Sequence, residues 1–87
     1  MATKNKLEQV VRLDWEESEK GWGVRPDGCS LHLTTRDCKN FVKEYWARMP
    51  EETPDEYSRP SGEPFQAYVD KQTYEQIKKS KNGIRRY

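Results

Sequence analysis

The spacing of apolar residues between Cys38 and Met49 constrains the fold of this chain more than any other feature. Apolar side chains recur at i, i+3, i+4, i+7, i+8 and i+11, as Cys38, Phe41, Val42, Tyr45, Trp46 and Met49. Residues at this spacing lie on one face of an α-helix. Thr34 and Asp37 form a helix start, because a threonine hydroxyl accepts from a free backbone N–H and a carboxylate suits the positive helix end. Pro50 then ends the predicted helix.

Period-two alternation of apolar and polar residues predicts three short strands before this helix. Their inward-facing residues are Val11, Leu13 and Trp15, then Trp22 and Val24, then Cys29, Leu31 and Leu33. The polar stretch at 16–21 is predicted as the first turn. The second turn is assigned to Arg-Pro-Asp-Gly at 25–28, because proline fixes φ at the second turn position and glycine accepts a positive φ. Connections this short make the three strands antiparallel.

A fourth strand is expected at 65–69, followed by a short helix from Lys71 to about Lys81 that Asp70 can cap. Asn82 and Gly83 form a helix terminator, and residues 84–87 can add a final short strand. The element order is β-β-β-α-loop-β-α-β. We therefore expect an α+β fold, in which a small antiparallel sheet of about four to five strands carries one main amphipathic helix and one short helix on one face.

The 87 residues are expected to form a single domain, since two cores would not fit in a chain of this length. Residues 1–6 are polar and expected to be frayed. Four of the five prolines lie among acidic and small residues at 50–64, which predicts a long Pro-rich acidic loop. We expect this loop to lie over the fold, with Tyr57 and Arg59 as its anchor.

The formal net charge is +1, so the chain as a whole is not drawn to nucleic acid or to an anionic membrane. It contains no apolar run long enough for a signal peptide or a membrane span, which favours a cytoplasmic protein with no membrane partner. In that compartment Cys29 and Cys38 are expected to be reduced thiols.

Catalytic and metal chemistry find little support in the sequence. A structural zinc needs four ligands, and the soft ligands here are Cys29, His32 and Cys38 alone. Strand alternation also places Cys29 and His32 on opposite faces. Cys38 begins the apolar stripe of the helix, and no motif brings His32 to it as a base. We expect no metal and no cofactor, and an enzyme is the less supported class.

Binding is the better supported function. The candidate residues are of types that recognise anions and protein partners, and they are Arg25, His32, Tyr57, Arg59 and Tyr68. Strand alternation places Ser30 and His32 opposite the inward residues, so one sheet face is expected to be polar, aromatic and solvated. We interpret the chain as a small non-enzymatic binding or accessory module that acts through a protein partner or a small anionic ligand. A viral-type inhibitor of a host factor is one example of such a module.

A nucleic-acid-binding domain is the alternative. The C-terminal segment is basic, and the residues that could contact phosphates are Lys78, Lys79, Lys81, Arg85 and Arg86. Tyr68 or Tyr87 could stack on bases. The nearly neutral total charge and the acidic stretches elsewhere in the chain oppose this alternative, because they repel a polyanion.

Overall fold

The computed structural model describes residues 7–19, 23–50 and 57–87. Within these ranges the chain forms five strands and two helices, which are β1 (Glu8–Glu19), β2 (Gly23–His32), α1 (Thr35–Ala47), β3 (Tyr57–Pro60), β4 (Phe65–Val69), α2 (Lys71–Lys79) and β5 (Ile84–Arg86). The α+β class and the antiparallel sheet are confirmed. The expected fraying of residues 1–6 and the inward position of Trp22 lie outside the described residues.

The sheet is organised about β1. β2 pairs with one edge of β1. The other edge is shared, since β4 pairs with residues 8–12 and β3 pairs with residues 15–18. β5 lies outside β2, so the strand order is β3-β1-β2-β5 with β4 beside β1. β1 and β2 therefore form one long hairpin whose two ends have different neighbours.

The three strands expected before α1 are two strands in the structure. Residues 16–19, expected in a turn, continue β1, and the segment 25–28 lies inside β2. The β1–β2 register shifts between Asp14 and Glu16, so that two residues, Asp27 and Gly28, lie opposite Trp15 alone. This is a β-bulge. Gly28 has a φ of 75°. The glycine that indicated a turn in the sequence therefore provides the positive φ at the bulge.

One face of the sheet is covered by α1. The helix begins at its N-cap Thr34, whose side chain accepts from the amide of Asp37 at 3.0 Å, as the sequence predicts. The buried cluster beneath α1 consists of Leu13, Trp15 and Cys38, and Val11, Phe41, Val42 and Tyr45 pack around it. Trp46 belongs to the same stripe but is 40% exposed, so the apolar surface of α1 continues beyond the core.

The opposite face is covered by α2, whose Ile77 forms a second buried cluster with Val10 and Leu31. Leu31 pairs with Arg12 whereas Leu13 pairs with Ser30, and side chains alternate along a strand, so Leu31 and Leu13 point to opposite faces. The structure thus corrects one detail of the expected fold. The two helices do not share a face, because the apolar residues that appeared to form one inward set are divided between two cores.

Part of the segment 50–64, expected as a loop, is a strand. Residues 57–60 form β3, in which Arg59 pairs with Glu16 and Pro60 pairs with Trp15. The amide of Ser61 then donates to the carbonyl of Asp14 at 2.8 Å. β3 is an edge strand, which is where a proline is tolerated within a sheet. Residues 51–56 of the expected loop lie outside the described residues.

Candidate binding surface

A groove of about 380 Å³ lies beside the C-terminal end of α1. We call it the aromatic groove, and its lining residues are Phe41, Tyr45, Arg48, Met49, Pro50, Arg85 and Tyr87. The first five come from α1 and the turn that follows it. The last two come from the C-terminal segment that contains β5. Two of these residues are arginines, and none of them is acidic.

Arg85 lines the groove from the C-terminal segment. Its Nη2 donates to the backbone oxygen of Asp27 at 2.9 Å and to the carboxylate of Asp27 at 3.0 Å. Its guanidinium carbon lies 4.2 Å from the ring centroid of Trp15 and 4.9 Å from that of Tyr87. An arginine held by a carboxylate and by aromatic rings has little conformational freedom. Only 14% of its side chain is exposed.

Hydrogen bonds tie the strands to α1 beneath the groove. The hydroxyl of Ser58 donates to the carboxylate of Asp27, which links β3 to β2. The phenol of Tyr45 donates to the backbone carbonyl of Ser58 at 2.6 Å, which links α1 to β3. Burial raises the pKa of Tyr45, so its hydroxyl keeps the proton that it donates. The floor of the groove is therefore a rigid, hydrogen-bonded junction of three elements.

Trp46 and Tyr57 extend this aromatic surface along the outside of α1. The ring of Trp46 meets that of Tyr45 with a centroid separation of 5.2 Å and that of Tyr57 with a separation of 6.2 Å, both edge to face. Trp46 is exposed and Tyr57 is half-buried. Tyr57 was predicted as a binding residue, and its ring contacts Trp46, whose neighbour Tyr45 lines the aromatic groove.

Arg59 and Arg25 lie on the same end of the sheet as Tyr57. The Nε of Arg59 donates to the carboxylate of Glu16 at 2.7 Å, and this hydrogen bond lowers the pKa of Glu16. Arg25 pairs with Glu17 at 3.2 Å and is 61% exposed. Tyr57, Arg25 and Arg59 therefore share one end of the sheet, but Arg25 pairs with Glu17 and Arg59 with Glu16, so the two arginines point to opposite faces.

His32 and Tyr68 lie apart from this group. His32 is fully buried under α1, where its ring centroid is 5.0 Å from that of Phe41. The expectation that Ser30 and His32 face solvent is therefore wrong, because α1 covers their face of the sheet. Tyr68 lies on β4, which pairs with the other end of β1, and is 57% exposed.

The basic residues of the nucleic-acid alternative point in different directions. Arg85 contacts Trp15 on the α1 face, whereas Arg86 donates to Thr73 of α2 at 3.0 Å on the opposite face. Lys81 pairs with Glu44 of α1 at 3.2 Å, and Lys78 pairs with Glu75 at 3.8 Å. These cations do not form one continuous patch on the described structure.

The groove itself was missed by sequence reasoning. It is built from Tyr45 and Arg85, which are distant in the chain and meet only through the sheet. Two local signals pointed towards it. Phe41, Tyr45 and Met49, which line the groove, belong to the apolar stripe of the predicted helix. Arg85 and Tyr87 are two residues apart on the final strand segment, a spacing that directs both side chains to one side.

Both cysteines, Cys29 and Cys38, are free thiols in the described structure. Cys38 is 1% exposed, and burial raises the pKa of its thiol. Among the described residues, no group of three or more histidine, cysteine or acidic side chains is placed to hold a metal ion. Within the same residues, neither helix combines the length and the apolar character needed to cross a bilayer.

Comparisons with protein-family models, with curated proteins and with solved structures give no significant match to this chain. The geometry of the described residues is therefore the basis for assigning a function.

Proposed function

We propose that this protein is a small non-enzymatic binding module whose aromatic groove, together with the neighbouring rings of Trp46 and Tyr57, takes an acidic segment of a protein partner. The observation that carries the proposal is the grouping of three aromatic rings, those of Phe41, Tyr45 and Tyr87, with two arginines in one groove. Tyrosine, tryptophan and arginine supply most of the binding energy in protein interfaces.

The charge of the groove favours an acidic partner. Arg85 is offset by Asp27, with which it forms an ion pair. Arg48 is exposed at the C-cap of α1; it interacts electrostatically with Glu44 but forms no salt bridge within the described part of the chain. The exposed guanidinium of Arg48 beside apolar rings attracts a segment that combines carboxylates with apolar side chains.

The rigidity of the groove floor also supports binding. The bonds from Tyr45 to Ser58 and from Arg85 to Asp27 hold the lining in place before a partner arrives. A surface that is already ordered loses less conformational entropy on association. We therefore expect the backbone of the groove to move little when the partner binds.

Selection from a displayed peptide library tests the proposal, with the full chain as bait. We expect enrichment of peptides that carry aspartate or glutamate beside large apolar residues. For a selected peptide, Trp46→Ala and Tyr57→Ala should each weaken binding by about tenfold or more, since truncating an interface anchor costs about 2 kcal/mol. Arg48→Glu should weaken acidic peptides specifically.

Tyr68→Ala is the matched control, because it removes another accessible aromatic ring that lies at the far end of β1. It should leave the affinity unchanged. Selected peptides whose affinity is insensitive to Trp46→Ala and Tyr57→Ala would reject the groove as the contact. Binding of inorganic phosphate or of oligonucleotides at low salt, without any peptide selected, would assign the chain to an anionic ligand or to nucleic acid instead.

A further inference from the structure

β4 is an edge strand without the usual protection against pairing. It pairs with β1 along one side, and no other described strand pairs with its second side. Natural edge strands carry charged side chains, prolines or bulges that discourage association. β4 reads Phe-Gln-Ala-Tyr-Val and contains none of these. The other edges differ, since β3 contains Arg59 and Pro60 and β5 ends in two arginines.

Large apolar side chains are exposed along the same edge. Phe65 is 45% exposed and Tyr68 is 57% exposed. Leu7, next to the residue that pairs with Val69, is 56% exposed. An exposed edge that is apolar and uncharged is a template for another strand.

We propose that a second copy of this chain pairs with β4 in antiparallel fashion, across a two-fold axis at Ala67, and joins the two sheets. With Ala67 opposite its own counterpart, Gln66 faces Tyr68 of the second copy and Phe65 faces Val69 of the second copy. Each contact then occurs twice, as two-fold symmetry requires.

The side chains of β4 complement each other in this register. Gln66 and Tyr68 share one face, and within one chain the Gln66 amide donates to the Tyr68 hydroxyl at 2.7 Å. The same amide and phenol meet twice across the axis. On the other face, the exposed ring of Phe65 covers Val69 of the second copy. No like charges oppose each other, and this self-complementarity selects a second copy rather than a charged foreign strand.

This inference is independent of the proposed function. The aromatic groove lies by α1 and the β3 end of the hairpin, whereas β4 pairs with the opposite end of β1. Pairing through β4 leaves the groove on each copy accessible. Failure of peptide selection at the groove would not affect the dimer, and a monomeric chain could still bind peptides.

Sedimentation velocity of the full chain tests the inference, from about 5 µM to about 500 µM, because a single strand pair forms a small and weak interface. We expect a reversible monomer–dimer equilibrium. The double variant Gln66→Lys and Tyr68→Lys places lysine opposite lysine twice and should raise the dimer dissociation constant about tenfold or more. The double variant Gln66→Lys and Tyr68→Glu places lysine opposite glutamate twice and should restore the dimer.

Both double variants change exposed residues, so thermal melting should show that each is folded. Amide hydrogen exchange supplies a second measurement, because amides of β4 should become more protected as concentration rises. A chain that is monomeric throughout the range overturns the inference. So does a dimer that the lysine pair leaves intact, or a folded charge-swapped variant that stays monomeric.

Discussion

The Nδ1 of His32 lies 2.6 Å from the backbone carbonyl of Asn82, and this contact fixes the tautomer of the buried imidazole. A carbonyl can only accept, so Nδ1 carries the proton and Nε2 accepts from the Ser30 hydroxyl at 2.8 Å. The indole of Trp15 donates to the same hydroxyl oxygen at 2.8 Å. Every member of this chain of hydrogen bonds is satisfied when His32 is neutral.

Stability should therefore decrease when the pH falls below about 6.5, the pKa of an unfolded histidine. Burial lowers the pKa of His32 in the folded protein, although Asp37 and the Asn82 carbonyl oppose this effect. Between the two pKa values the unfolded chain binds a proton that the folded chain does not, so the free energy of unfolding falls as pH falls. Urea unfolding between about pH 8 and pH 5.5 measures this slope.

His32→Gln is the control for this pH dependence. The variant should be less stable at neutral pH but should show a flatter profile over the same range. Parallel profiles for the two proteins would assign the pH dependence to carboxylates rather than to His32.

Gly28→Ala should destabilise the protein by about 2–4 kcal/mol, against about 1 kcal/mol for Gly23→Ala. Both glycines have positive φ, 75° and 86°, so both variants carry the backbone strain of a left-handed residue. A β-carbon at Gly28 would also collide with the backbone carbonyl of Arg86, whereas one at Gly23 meets no atom within 4 Å. Chemical unfolding and hydrogen exchange of β5 measure the difference. Equal losses in the two variants would show that close packing of β5 on the bulge is unimportant.

Arg85→Lys should lower the free energy of unfolding by about 1–3 kcal/mol. Lysine keeps the charge but loses the planar group that contacts Trp15 and the two hydrogen bonds to Asp27. Arg86→Lys is the matched control on the next residue, which is exposed and makes one side-chain hydrogen bond, to Thr73, and should change stability by less than about 1 kcal/mol. If the two variants behave alike in chemical unfolding, the contacts of Arg85 contribute little.

Cys38 should react with a thiol reagent at least about a hundredfold more slowly than Cys29 in the folded protein. Cys38 is buried beneath α1, and burial raises the pKa of its thiol, so little reactive thiolate is present. Cys29 is half-buried on β2. Single Cys→Ser variants at each position assign the two rates, and urea should remove the difference. Rapid native labelling of Cys38 would contradict its position in the core.

The elements that depend on local patterns could be predicted from the sequence. The apolar stripe of α1 with Thr34 as its cap, the alternation of β4, and the short helix α2 all follow from neighbouring residues. The bulge at Gly28 could not be distinguished from a turn, because both use proline, aspartate and a glycine with positive φ. A turn at 25–28 would not give the β1–β2 register that directs Leu31 and Leu13 to opposite faces.

Features that depend on contacts between residues far apart in the chain could not be predicted from the sequence either. β3 is a strand because residues 57–60 meet β1, and the composition of that segment alone indicates a loop. The aromatic groove includes Arg85, which lies over Trp15 beside α1. Arg85 is in this position because β5 pairs with β2. His32 was expected in solvent because its burial depends on which face α1 covers.

β1 contributes Val10 to one core and Leu13 with Trp15 to the other. One residue inserted or deleted between Val10 and Leu13 would turn one of these sets to the wrong side, because side chains alternate along the strand. Chains related to this one should therefore keep the length of this segment constant even where its side chains diverge. Evolution can change the chemistry of β1 more easily than the number of its residues.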